Sequence, residues 1–311
     1  MERSTNERSL SERIVKLFNT KLGITLVLIA PIEILLFLII MFPFALEIYL
    51  STTPWQPMLG EWWESPFIAY KNYVTLLGKD IRFLMSLART AMLVGLGVSI
   101  EVMLGLGLAT LFTRRFAGKK MMFSIMLIPM MIIPVVVGYD FYMLFLRFGP
   151  INEVISWITG TVFEFDWLAD PRGAFVALLV TDVWHWTPLM FLILYSGLVA
   201  LPENPVKAAK VLGASAWQIF WKIKFPMLRN LLLLALVIRT MEMMKFFDEI
   251  FVMTGGGPGF ATETLSMFTY DQAILSMKLG YSAGAAIIIL LISVALITFA
   301  VWPVLKAARG E

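Results

Sequence analysis

The chain alternates long apolar segments with short polar and basic ones. A helix needs about 20 mostly apolar residues to cross about 30 Å of hydrocarbon, and six segments reach that length. The pattern therefore predicts an all-α, polytopic membrane protein with one transmembrane domain, residues 22–305. The six predicted spans cover residues 22–50, 89–112, 121–146, 173–200, 230–253 and 280–305.

Polar segments flank this domain, residues 1–21 and the tail 306–311. Apolar residues recur at helical spacing within residues 9–19, which predicts a short amphipathic helix on the membrane surface. The first apolar run is too long for a signal-peptide core and lacks a small-residue cleavage site, so we interpret it as a span. Pro129 and Pro134 are expected to break the third span.

The composition narrows the class of protein. Hydrophobic residues make up 59% of the chain, charged residues 15%, and the mean hydropathy is +0.82, all typical of a membrane protein. Cysteine is absent and His185 is the only histidine. We therefore expect no disulfide, no metal site and no catalytic residue. The chain contains no Gly-x-x-x-x-Gly-Lys-Ser/Thr motif, so we expect no ATP site and no other cofactor in it.

The basic residues indicate the topology. Sixteen lie in the N-terminal segment, residues 113–120, the loop 201–229 and the tail, whereas six lie in the intervening loops. The basic side of a membrane protein is cytoplasmic. We predict a plasma (inner) membrane protein with both termini and the loop 201–229 in the cytoplasm. Because the basic residues lie on alternate loops, they indicate membrane topology rather than nucleic-acid binding.

The loop 201–229 is a polar and basic segment between two long apolar ones. Its capping residues, glycine and prolines predict two short helices. Asn204 is a candidate N-cap for the first helix, and Gly213 is suited to end it. Ser215 and Gln218 have the spacing of a capping box for the second helix, which Pro226 is expected to end. Two interpretations fit this pattern. The loop is either an ordinary cytoplasmic loop with an interfacial helix or a helical protrusion that a soluble partner binds.

The spacing of residues in this loop resembles the coupling loop of permease subunits of bacterial and archaeal ABC importers. Ala208-Ala209, Gly213-Ala214, Ile223 and Pro226 match the family pattern. Lys207 stands where the family usually has glutamate, and Leu212 where it usually has aspartate before the glycine. The resemblance implies that the loop docks on a cytoplasmic ATPase through Lys207, Ala208, Ala209, Gly213, Ala214, Trp217, Phe220, Ile223 and Pro226.

Polar residues inside the predicted spans are candidates for function, because charges in lipid are costly. In the fifth span, helical spacing places several of them on one face, which fits a structural ion-pair ladder or the wall of a polar path. In the fourth span, aromatic and polar residues together could bind a sugar ring or simply pack. The substrate-path candidates are Asp182, Trp184, His185, Trp186, Arg239, Glu242, Lys245, Phe246 and Glu249.

A second motif lies in the predicted outer loop after the fifth span. Gly255, Gly256, Gly257 and Pro258 predict a tight turn. In its context, FDEIFVMTGGGPGFATETL, the segment resembles the outer loop of the carbohydrate-uptake branch of ABC permeases. The segments IPMMIIPVVVG and DVWHWTPLMFLILYSGLVALP resemble the same branch. The resemblance implies that the glycine-rich loop faces an extracytoplasmic solute-binding protein.

The resemblance implies a type I ABC importer permease that takes up an oligosaccharide, polyol, sugar phosphate or sulfosugar. Its partners would be membrane lipid, a second and homologous permease subunit, two ATPase subunits that bind ATP and Mg, and the solute-binding protein. The residues alone leave two other classes open. A proton-coupled secondary transporter would use carboxylates such as Glu242 and Asp248. A membrane-embedded enzyme would use Asp182 and His185.

Overall fold

The computed structural model describes Thr25 and residues 29–308. The predicted amphipathic helix of residues 9–19 lies outside the described residues. Within the described part, the regular elements are helices. They are α1 Ala30–Ser51, α2 Lys71–Gly78, α3 Ile81–Phe112, α4 Lys119–Leu127, α5 Pro134–Leu144, α6 Pro150–Thr159, α7 Pro171–Ala200, α8 Glu203–Val211, α9 Ala216–Ile219, α10 Phe225–Met244, α11 Asp248–Met253, α12 Leu265–Tyr270 and α13 Leu279–Ala308.

Four described helices are long and apolar enough to cross a membrane: α1, α3, α7 and residues Leu279–Phe299 of α13. Lys119–Met131 and Pro134–Leu144 would supply a fifth span if they cross as one, although they are bent by 98°. The predicted break in the third span is therefore present. In the predicted fifth span, α10 carries Arg229, Arg239 and Glu242, and it is not among the four. The count of six spans stays a prediction.

The helices differ in their bounds from two of the predicted spans. The second span was expected from residue 89, but α3 begins at Ile81 because Asp80 caps it by accepting a hydrogen bond from the Phe83 amide at 3.0 Å. The fifth was expected to continue to residue 253, but α10 ends at Met244. The carbonyls of Met244 and Phe246 at this break accept hydrogen bonds from Ser266 and Thr264, so the broken backbone keeps its partners.

The core lies where α3 crosses α7. The crossing is close because Gly105 leaves no side chain between the two helices, and a Cβ there would lie 2.8 Å from the Met190 Cβ. Phe112 and Phe191 pack edge to face with ring centroids 5.0 Å apart near the end of the same interface. Helices α10 and α11 pack against this pair, and α1 packs against α13. This arrangement brings α3, α7 and α10 together.

The polypeptide makes a close three-way contact at the start of α13. The Asn72 side-chain amide donates hydrogen bonds to the carbonyls of Ser51, Thr53 and Gly280. The Gly280 amide in turn donates to the Trp55 carbonyl at 3.0 Å. The contact ties together the end of α1, the start of α2 and the start of α13. Gly280 permits this close contact, since a Cβ there would clash with the Thr53 carbonyl oxygen, and a Cβ on Gly284 would lie 3.3 Å from the Asn72 Cβ.

Single-cysteine labelling in intact cells provides a test of the predicted topology, because the chain has no native cysteine. Cysteines at Thr161 and Phe260, both exposed, are expected to react with a membrane-impermeant maleimide. Cysteines at Ala117 and Val211 should react only after the cells are opened. Thr262 is fully buried and is unsuitable. Labelling of Ala117→Cys in intact cells would contradict the charge-based topology.

Candidate coupling loop and translocation site

The first helix of the candidate coupling loop begins earlier than expected. α8 starts at Glu203, with Pro202 in the extended conformation before it. Asn204 and Pro205 therefore lie in the first turn of the helix, so the prediction that Asn204 is the N-cap is wrong. Backbone amides in the first turn have no partner within the helix, so the missing amide of Pro205 costs no hydrogen bond there. The helix ends at Gly213, whose φ is +78°. The amide of Gly213 donates to the Lys210 carbonyl at 3.0 Å, so the predicted role of this glycine as a helix terminator is confirmed.

The second helix of the loop has the predicted capping box but does not end where expected. The Ser215 hydroxyl accepts from the Gln218 amide, and the Ser215 amide donates to the Gln218 side chain at 2.9 Å. The helix then passes through a wide π-helical turn, Phe220–Lys224, directly into α10. Pro226 lies in the first turn of α10, so its predicted role as a helix end is wrong. The wide turn accommodates a proline ring without breaking the rod.

The tip of this helix–glycine–helix segment exposes apolar side chains. Val211, Leu212 and Trp217 are 87%, 85% and 71% exposed. Phe220 is half-buried and packs on Trp221, with ring centroids 5.2 Å apart. Of the two aromatic anchors proposed from the sequence, only Trp217 is therefore on the surface. Exposed large apolar side chains grouped at a turn are typical of a surface that a partner covers.

Lys207 has an acidic partner within the loop. Its ammonium lies 2.5 Å from the Glu203 carboxylate, one helical turn away. The hydrogen bond from Lys207, and secondarily its charge, lowers the pKa of the Glu203 carboxyl. The charge reversal relative to the family pattern is therefore offset inside the chain.

A buried ionic cluster joins three helices at the centre of the fold. Arg239 of α10 donates two hydrogen bonds to Glu101 of α3, at 2.7 and 2.9 Å, and one to Asp182 of α7, at 2.5 Å. All three side chains are buried, and the second Asp182 oxygen has no partner in the described part of the chain. The Arg239 guanidinium also lies 5.1 Å from the ring centre of Trp186. We refer to Glu101, Asp182 and Arg239 as the central triad.

A second buried polar contact lies beside the triad. His185 Nδ1 lies 3.1 Å from Glu249 of α11, and Nε2 lies 3.1 Å from the Ile132 carbonyl at the break between α4 and α5. The carbonyl at that break is thus hydrogen-bonded rather than orphaned. His185 is a hydrogen-bonded core residue that joins the broken third span to the fifth.

The predicted ion-pair ladder on one face of the fifth span is wrong. Arg239 and Glu242 lie three residues apart in the same helix, α10, yet Arg239 is buried and Glu242 is exposed. Beyond the break after Met244, Lys245 is exposed and Glu249 is buried. Glu242 pairs with Lys245 at 3.8 Å and does not contact Arg239. Phe246 is buried, Trp186 is half-buried and Trp184 is exposed. The substrate-path candidates therefore divide into a buried set, an exposed set of Trp184, Glu242 and Lys245, and half-buried Trp186.

The glycine-rich turn after α11 has the tight geometry expected from its sequence. Gly255 and Gly256 have φ of +58° and +86°, which favour glycine. The Thr262 hydroxyl donates to the Gly257 carbonyl at 2.6 Å and holds the turn closed. Beside it, Arg82 binds Glu263 and Asp271 at 2.6 and 2.7 Å, an ionic contact that sequence reasoning missed.

Comparison with known proteins assigns the family. The family described as "Binding-protein-dependent transport system inner membrane component" matches residues 101–304, which include the coupling loop, all three residues of the central triad and the glycine-rich turn. The chain belongs to this family. It is a membrane-embedded transport permease, and the resemblance to the carbohydrate-uptake branch is confirmed.

Curated relatives and a solved structure agree with this assignment. The trehalose/maltose transport permease MalF of Thermococcus litoralis is 34% identical over 246 residues, covering 75% of this chain and 81% of that one. The sulfoquinovosyl glycerol permease SmoG of Agrobacterium fabrum is 30% identical, covering 87% and 86%. The crystal structure of a bacterial ABC transporter that imports alginate matches with a TM-score of 0.76 at 18% identity, covering 93% and 96%. That match supports the type I permease fold.

Proposed function

We propose that this permease is a subunit of an ATP-driven importer of a sugar or sugar-like solute in the inner membrane, with both termini cytoplasmic. Two ATPase subunits at the cytoplasmic face hydrolyse ATP, and the coupling loop docks on this ATPase. A homologous permease completes the path, and a solute-binding protein meets the glycine-rich turn. The observation that carries the proposal is the exposed apolar tip at Val211, Leu212 and Trp217 on the predicted cytoplasmic side.

The charges of the site favour a polyhydroxylated solute without a requirement for negative charge. Arg239 is the cation of the buried central triad, and it already forms salt bridges with both carboxylates, Glu101 and Asp182. It is therefore not available to bind an anionic substrate. Exposed Glu242 and Lys245 offer hydrogen-bonding groups that suit the hydroxyls of a sugar ring.

Replacing Gly213 by valine is expected to uncouple transport. The glycine has φ of +78° with open space around it, so the cost is backbone strain of about 1–2 kcal/mol and no clash. The strain displaces α9 relative to α8, and ATP hydrolysis by the assembled complex should lose its stimulation by loaded binding protein. The measurement is stimulated ATPase activity in proteoliposomes.

Gly118→Val is the matched control for this experiment. Gly118 has φ of +77° in another predicted cytoplasmic turn, and its surroundings are equally open. It should retain stimulation. If Gly213→Val keeps full stimulation, or if both variants lose it equally, this turn is not the docking site.

Replacing both Glu242 and Lys245 by glutamine is expected to reduce uptake without reducing assembly. Both side chains are exposed, so their loss leaves no buried charge behind. Losing their contacts to substrate should lower the rate of uptake by about tenfold, the effect of about 1.4 kcal/mol. Radiolabelled sugar uptake and the yield of purified complex are measured together, with Lys79→Gln as the control. Normal uptake by the double variant would remove these residues from the path.

A further inference from the structure

An open apolar groove runs along the outside of the central helix pair. It has a volume of about 680 Å³ and lies between α3, α4, the turn Pro129–Met131 and α7. Most of its walls are large apolar side chains, and several are exposed despite lying in the middle of spans. Representative lining residues are Leu104, Leu108, Ile125, Ile128, Val180 and Trp184. Of the exposed substrate-path candidates, Trp184 lines this groove and Glu242 and Lys245 do not, so we assign Trp184 to the groove rather than to the proposed path.

A basic turn stands at one end of this groove. The turn between α3 and α4 carries Arg114, Arg115, Lys119 and Lys120. Arg114, Arg115 and Lys120 are exposed, and within the described residues no carboxylate forms a salt bridge with any of the four. Lys119 rests on Tyr195, with its ammonium 5.3 Å from the ring centre. The turn is thus a positive surface without an internal counter-charge, at the predicted cytoplasmic end of the groove.

The groove begins within the depth of one leaflet from the basic turn. Lys119 begins α4 and Ile125 lies six residues along it, about 9 Å at 1.5 Å per residue. The hydrocarbon of one leaflet is about 15 Å deep, half of about 30 Å. A lipid whose headgroup sits on the basic turn would therefore extend an acyl chain past Ile125 and into the inner part of the groove.

We propose that the groove bounded by α3, α4 and α7 is a binding site for an anionic phospholipid, with its headgroup on the basic turn and an acyl chain against Leu104, Leu108 and Ile125. Two features favour a lipid over a protein helix. The basic turn complements a phosphate at the depth of the headgroups, and basic clusters beside spans on the cytoplasmic side attract anionic lipid. The groove wall is almost wholly apolar, as an acyl chain requires.

Native mass spectrometry of the full-length chain, purified from membranes and delipidated, tests the headgroup contact. Phosphatidylglycerol and phosphatidylcholine with identical acyl chains are added in turn. The chain is expected to bind phosphatidylglycerol more tightly. Arg115→Gln with Lys120→Gln should weaken that binding by about thirtyfold, since each basic residue near an anionic surface contributes about fivefold to tenfold. Lys71→Gln with Lys79→Gln removes the same charge from the opposite predicted side and should leave binding unchanged.

A tryptophan scan tests the groove itself. Leu104→Trp fills the groove and should weaken phosphatidylglycerol binding. Met103→Trp places the same ring one residue away, at an exposed position that does not line the groove, and should bind as the unchanged chain does. If Leu104→Trp does not fold, Ile125→Trp provides the same test from the α4 side of the groove. Equal binding of both lipids, or equal effects of the Leu104 and Met103 variants, would overturn the proposal.

Crosslinking separates lipid from a second protein chain as the occupant. The chain lacks cysteine, so Leu104→Cys gives a single attachment point for a benzophenone maleimide. Irradiation in native membranes, with the partner subunits present, should yield a lipid adduct identifiable by mass. An adduct with another permease subunit would overturn the lipid site and identify the groove as a subunit interface.

Discussion

Replacing Arg239 by methionine is expected to prevent recovery of a stably folded permease. The substitution leaves Glu101 and Asp182 buried and facing each other without the cation that binds both. Removing one partner of a buried ionic contact costs roughly 3–5 kcal/mol, a large part of the stability of a typical domain. The measurement is the yield of monodisperse protein in detergent and its thermal midpoint.

Lys245→Met is the matched control for the Arg239 variant. It removes a cation from the next turn of the chain, but that side chain is 69% exposed and its contact with Glu242 is long. Its yield should be close to that of the unchanged permease. Equal thermal midpoints for the Arg239 and Lys245 variants would contradict the structural role of the triad.

A triple variant separates stability from transport at this cluster. Replacing Glu101 and Asp182 by leucine together with Arg239→Met leaves no unpaired charge, and apolar replacements of whole buried ionic clusters are often neutral or stabilising. The triple variant should therefore recover folding. If uptake recovers with it, the triad serves assembly alone. If folding recovers without uptake, the charges also act during transport.

Gly280→Ala is the second substitution with a large expected effect. The added Cβ would lie 2.3 Å from the Thr53 oxygen and 2.8 Å from the Trp55 nitrogen. Both are backbone atoms, so no change of rotamer relieves the clash, and the helix must move at a cost of about 1–3 kcal/mol. The Asn72 hydrogen bonds that tie α1 to α13 should weaken with it. A lowered thermal midpoint is the expected result.

Gly107→Ala supplies the comparison for Gly280. Gly107 lies in α3 with nothing within 4 Å of its added Cβ. Alanine there should be neutral or slightly stabilising, because it favours helix over glycine. If both variants melt at the same temperature, the close contact at Gly280 does not limit stability.

The sequence predicted local structure correctly where that structure depends only on residues close together in the chain. The capping box of Ser215 and Gln218 and the positive φ of Gly213 depend on residues within a few positions. It failed at Asn204 and Pro226, where a neighbouring proline and a π-helical turn changed the helix boundaries. Both failures concern where a helix begins or ends, which is set by small energy differences.

The hydrogen bonds of the central triad could not be predicted from local sequence patterns. Arg239 bonds to Glu101, 138 positions away, and to Asp182, 57 positions away. Helical spacing instead favoured Glu242, three residues from Arg239 in the same helix, but Glu242 is exposed whereas Arg239 is buried. A lone carboxylate in the middle of the second predicted span was the available signal for Glu101, because such a charge requires a partner.

The helix is continuous from Ala216 to Met244, so the coupling loop and Arg239 of the central triad lie on one rod-like element. Twenty residues separate Ile219 from Arg239, about 30 Å at 1.5 Å per residue. Tilting such a rod by about 5° about one end displaces the other by about 2.6 Å by simple geometry of that length. A hydrogen bond of 2.5–2.9 Å does not survive that displacement unless its partners follow. A small rotation at the tip would therefore either break the triad or move α3 and α7 with it, so a displacement at the exposed tip would be transmitted to the buried centre of the fold.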